Sequence, residues 1–218
     1  MKATFKTLIV MLVVACARQV VAAPADDALL ELQRDWAIAN YDKTGDAQEA
    51  AFESLLEKSQ AATESNPDSA GIWIWDGIIR SSFAGVRGGL GALSLARESR
   101  ASLEKAMEID ADALDGSAYT SLGTLYFKVP GWPVGFGSDK KAVKLLQQAL
   151  AINPDGIDPN YFYADYLIHK KDYEAAESYL QKAQQAAPRA GRERADAGRR
   201  AEIREALDTV RQKLGRAS

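Results

Sequence analysis

Along most of this chain apolar residues recur three and four positions apart, the spacing that gathers them on one face of an α-helix. The stripe is plain near the end, where "RRAEIREALDTVRQKL" aligns Ile203, Leu207, Val210 and Leu214. Near the start, Leu29, Leu30, Leu32, Trp36 and Ile38 mark a helix over 26–39, and a second over about 47–64 follows the turn "KTGD". Pro154 and Pro188 punctuate later stripes, because proline lacks the backbone donor and clashes with the preceding turn. The pattern predicts an all-α chain of about ten helices.

The stripes repeat. Leu103, Leu146 and Leu180 each begin a related segment, "LEKAMEIDAD", "LQQALAINPD" and "LQKAQQAAP", and Ala106, Ala149 and Ala183 within them are separated by 43 and 34 residues. Thirty-four residues is the period of the tetratricopeptide repeat, whose pattern runs W-x2-L-G-x2-Y, then A-x3-F, then P. "YTSLGTLY" supplies Tyr119, Leu122, Gly123 and Tyr126, and "AVKLLQQALAINP" supplies Ala142, Leu146, Ala149 and Pro154. The last copy runs through Asn160, Tyr163, Ala164 and Leu167 to Ala176, Leu180, Ala183 and Pro188, and a degenerate first copy starts at Trp73 with Gly77 in the glycine place. Small residues let paired helices approach and large ones fill the space between. No pair buries its apolar face alone, so stacked neighbours supply the core.

The expected fold is therefore an all-α, tetratricopeptide-type superhelical stack of antiparallel hairpins. It divides into an N-terminal hairpin over 23–65, repeats over 66–188, and a basic linker with a capping helix over 189–218. One face of the cap should rest on the last repeat and the other in water, which makes its arginines a solvated polar face or, alternatively, a binding patch. Two intra-repeat turns read as enlarged. Tyr126 and Ala142 are sixteen residues apart where Leu167 and Ala176 are nine, leaving "KVPGWPVGFGS" as an insertion, and "FAGVRGGLGALS" over 83–94 reads as a second. Insertions in repeat arrays map to one face, often the one that binds. Trp132 and Phe136 either fold back onto a helix end or face a ligand or partner.

The first twenty-two residues lie outside this pattern. Lys2 and Lys6 precede the apolar run "LIVMLVVA", too short to cross a bilayer, and small residues at Val20 and Ala22 allow cleavage after Ala22. In a second reading "VVAC" is a relaxed lipobox and Cys16 carries lipid. Either places the mature protein in the periplasm. Cleavage after Ala22 removes the single cysteine and shifts the net charge from −3 to −6, so neither a disulfide nor a nucleic-acid partner is expected.

With "INPDGID…NYFYADYL" and "DAGRRAEI" downstream, the "VPGWPVGFG" insertion resembles the T-component proteins of TRAP transporters over about Gly116 to Arg204. The resemblance implies an exported or lipid-anchored protein that assembles with a periplasmic solute-binding protein, in an oligomer with a passage for a hydrophobic ligand.

Catalytic and metal chemistry find no foothold. His169 is the only histidine, no G-x-S-x-G occurs, and the glycines at 85, 88, 89 and 91 lack the Lys-Ser/Thr of a phosphate loop. "DADALDG" departs from a calcium loop at its third acid and has Ser121 where the bidentate glutamate belongs, so it reads as an inter-repeat turn. The expectation is a non-enzyme without cofactor or metal.

The concave face should be lined by the first helix of each hairpin: Ile74, Trp75 and Ile78, then Thr120, Thr124 and Phe127, then Tyr161, Phe162, Asp165 and His169. Lys128 and Lys170 are the only basic residues expected nearby, which argues against a carboxylate clamp. The candidate binding residues are Trp75, Ile78, Phe127, Tyr161, Phe162 and Asp165 in the groove and Trp132 and Phe136 on the turn. Two occupants suit so apolar a groove: another periplasmic protein, or a hydrophobic small molecule that the protein carries.

Overall fold

The computed structural model describes residues 24–216, so the leader expected over 1–22 and Cys16 lie outside the described residues. Among the described residues there are nine helices and no strand: α1 Pro24–Tyr41, α2 Gly45–Ser65, α3 Ala70–Arg87, α4 Gly89–Asp110, α5 Ala113–Lys128, α6 Asp139–Ile152, α7 Ile157–His169, α8 Tyr173–Gln185 and α9 Glu193–Lys213. Consecutive helices pair as hairpins, and each even-numbered helix also packs on the odd-numbered helix that follows it.

The repeat positions form the joints. Leu103, Ala106, Ala142, Leu146, Ala149, Ala164, Ala176, Leu180 and Ala183 have no exposed surface. Glycine is sterically required where two hairpins close: a Cβ on Gly77 would stand 2.6 Å from Leu103 Cγ, and one on Gly123 would stand 2.8 Å from Leu146 Cγ. Ser138 and Asp172 cap α6 and α8, their side chains accepting from the backbone N–H of Lys141 and Ala175.

Two expectations change. The glycine-rich stretch 83–94 is not an enlarged turn. α3 runs on to Arg87 and α4 starts at Gly89, so the extra residues lengthen the helices and the reversal falls on Gly88 and Gly89, with φ of 62° and 60°. Arg87 anchors the end of α3 by reaching Glu49 and Glu53 of α2 and lying over the Phe83 ring. The inter-repeat turn over 110–116 also holds more than polarity: Leu114, Asp115 and Gly116 take three successive left-handed conformations. A Cβ on Gly116 would stand 3.0 Å from Ile152 Cδ1, so glycine is needed there for space as well as for φ.

α9 departs furthest from expectation. It packs on α8 and α7, as a cap should, and it also packs on α1 at the opposite end of the chain. Ala195 joins the core built by α1, α2 and α3; Arg194 pairs with Asp42; and a Cβ on Gly198 would stand 2.4 Å from the Tyr41 ring. The odd-numbered helices thus touch in a cycle, α1 to α3, α5, α7, α9 and back to α1, while the even-numbered helices sit outside.

Candidate functional site

The inner ring borders a half-open cavity of about 690 Å³. Trp36 and Asn40 face it from α1, Trp75 and Ile78 from α3, Thr120, Thr124 and Leu125 from α5, and Pro159 and Phe162 from α7. Arg189 and Arg192 from the linker and Arg199 and Glu202 from α9 add charged groups to its lining, as do Lys128, Asp115, Asp155 and Asp158. Trp36 is held by donating from Nε1 to Ser82 Oγ at 2.9 Å and by edge-to-face contact with Trp75 at 5.5 Å.

Of the candidate residues, Trp75, Ile78 and Phe162 line this cavity. Tyr161 lies beside Phe162 at 5.1 Å and offers its ring to Arg199. Burial raises the Tyr161 hydroxyl pKa to about 12. Three others have different work. Phe127 is buried against Tyr166 and His169, Asp165 binds Lys128 at 2.7 Å, and Ile74 is wholly inside the core. His169 is exposed and lies 3.6 Å from Asp139. The two turn residues part company. Phe136 folds back edge-to-face on Tyr126 at 5.7 Å, beneath the Arg100 guanidinium, whereas Trp132 is 90% exposed beside an exposed Val134. That tip stands on a braced loop: Gly135 N–H donates to Gly131 O, Gly137 N–H to Pro130 O and Ser138 N–H to Tyr126 O at 2.8 to 3.0 Å.

The C-terminal arginines divide between the cavity and the surface. Arg199 is 8% exposed, its Nε donating to Asp158 Oδ1 at 2.9 Å, its Nη1 reaching Glu202, and its guanidinium lying 4.4 and 4.5 Å from the Tyr161 and Phe162 ring centres. Arg189 reaches the other Asp158 oxygen at 2.6 Å and also Asp196. Burial pushes the Asp158 carboxyl pKa up, but Arg199 and Arg189 outweigh it and hold it below the usual range. Burial raises that of Glu202. This side of α9 is therefore a charged wall of the cavity rather than a solvated face. The spacing Asp158…Arg189…Arg199 carries no periodic signal, since the pairing joins α7 to a linker and helix 31 and 41 residues away.

The helical stack is similar to that of a known repeat protein, and part of the chain matches a repeat family. Residues 140–212 match a family model described as tetratricopeptide repeat. The chain has the tetratricopeptide-repeat fold. A thermophilic repeat protein of Thermus thermophilus superposes with a TM-score of 0.55 at 16% identity, covering 84% of this chain and 98% of that one. The structure of MamA aligns with a TM-score of 0.45 at 16% identity, over 76% of this chain and 90% of that one. No curated protein matches this repeat chain. No helix among its described residues is long and apolar enough to cross a membrane, and none of its described side chains form a cluster of three metal-ligating groups.

Proposed function

We propose that this chain is a non-enzymatic binding protein whose ligand occupies the cavity inside the ring of odd-numbered helices. One observation carries the reading: α9 returns to α1, so the concave face becomes a chamber rather than an open groove. At about 690 Å³ the chamber falls in the range of small-molecule sites, and it combines aromatic walls with a few fixed polar groups. It suits a small ligand, or the end of a peptide, better than a helix laid along a groove. The neutral dye N-phenyl-1-naphthylamine tests this. It should fluoresce with the native protein and lose that signal in Ser121→Trp, since Ser121 of α5 also lines the chamber and the substitution puts an indole into it. Absence of signal with the native protein, or an undiminished signal in the variant, contradicts the reading.

A second reading is favoured by the 130–134 tip. An indole 90% exposed on a braced loop is arranged for contact with another protein. The resemblance to T-components supplies the partner, a solute-binding protein of a TRAP transporter, and the leader pattern supplies the periplasm as the meeting place. The native protein should capture such a partner from periplasmic extract and Trp132→Ala should not. Equal capture by both removes the loop from the interface.

A further inference from the structure

We propose that the chamber takes an organic carboxylate with an apolar body, its carboxylate seated on the guanidinium of Arg192. This rests on the chamber as the binding site and names the class of ligand.

The inference starts from which charges in the wall are already satisfied. Asp158 gives one oxygen to Arg189 and the other to Arg199. Asp196 accepts from Arg189 Nε at 2.8 Å and from its backbone N–H at 2.8 Å, and Glu202 is held by Arg199. Every carboxylate of this cluster is thus engaged, and engaged by the other two arginines. Arg192 makes no ion pair among the described residues, and its Nε is buried without a hydrogen-bond partner. It lies 4.8 Å over the Trp75 ring, so one face of the cation is covered by an indole rather than by water. Burial, and then the nearby charge of Arg189, lowers its affinity for a proton against the opposing pull of Asp158 and Asp196.

A guanidinium with a buried donor left unpaired is costly, and an acceptor delivered by a ligand relieves that cost. The planar fork of a guanidinium matches the two oxygens of a carboxylate. The three arginines and three carboxylates of the cluster balance in charge, so what Arg192 lacks is an acceptor for its donors; a carboxylate supplies one while adding a single negative charge, where a phosphate dianion would add two. Trp36, Ile78, Leu125 and Phe162 line the same chamber and require the rest of the ligand to be apolar. In the same wall Thr120 Oγ1 is buried and unpartnered, a second polar group that the protein alone does not satisfy.

Displacement of N-phenyl-1-naphthylamine by 4-phenylbutyrate and by its neutral amide tests the assignment. The acid should displace the dye at a concentration at least tenfold lower than the amide. Arg192→Gln should bring the acid to the level of the amide, and added salt should weaken the acid alone in the native protein. A Phe-Leu-Phe peptide with a free or an amidated C-terminus separates the two sources of a carboxylate. Preference for its free form over 4-phenylbutyrate assigns a peptide terminus, and the reverse assigns a small acid. If the dye binds but acid and amide displace it equally, the chamber stands and the carboxylate falls. If the dye does not bind, both fall. The acid–amide and salt comparisons need no variant, so they decide the matter even if Arg192→Gln fails to fold.

Discussion

Gly198 and Asp158 show how single side chains hold the ring. Gly198 lies against the Tyr41 ring, and a Cβ added there would overlap the ring, which leaves no room for a methyl group. Gly198→Ala should lower stability by roughly 1–3 kcal/mol, the usual cost of overpacking, despite the better helix propensity of alanine. Denaturant unfolding measures it. Asp158→Asn removes the anion shared by two arginines. Because 29% of the Asp158 side chain is exposed, and Arg189 and Arg199 keep Asp196 and Glu202, the expected loss is roughly 2–3 kcal/mol, below the cost of breaking a fully buried pair. The sign with pH follows from the depressed carboxyl. Its contribution is complete above the ordinary carboxylate pKa of about 4 and is lost as pH falls through its lower folded value. The gap between native and variant midpoints should therefore be widest near neutral pH and close on acidification. A gap that widens in acid would contradict the pairing.

At the scale of elements, the loop 128–138 divides into an anchor and a tip. Phe136→Ala should cost roughly 3 kcal/mol or somewhat less, since its ring packs on Tyr126 and beneath Arg100 but is only partly buried. Trp132→Ala should change stability by no more than about 0.5 kcal/mol, because the indole touches solvent. Thermal melts of the two variants separate these roles, and a large loss in Trp132→Ala would mean that the indole packs. The insertion was legible because it interrupts a repeat of known period, whereas its two aromatics could not be sorted from sequence. Their difference is decided by Tyr126 and Arg100, which belong to other elements. The stretch 83–94 misled for a related reason. Glycine is a weak helix former but not a forbidden one, and the tight α3–α4 joint at Gly77 and Leu103, with Arg87 held by α2, carries both helices through it.

Over the whole molecule, the hairpin stack was readable because small and bulky residues recur at a fixed interval, and Gly77, Gly123, Ala142 and Ala176 occupy the joints. Closure was not readable. It depends on Arg194 meeting Asp42 and Gly198 meeting Tyr41, contacts made once across nearly the whole sequence and part of no repeat. The place of Arg189 and Arg199 was unreadable for the same reason, since both reach Asp158 on α7. Closure turns a concave surface into a chamber, and a measured separation of α1 from α9 tests it most directly. Spin labels at exposed Asp27 and Ala201 should give one narrow distance distribution by pulsed electron resonance in the native background, and Gly198→Tyr should shift it to longer distances. A broad distribution in the native background, or one that Gly198→Tyr leaves unchanged, would mean that the superhelix is open.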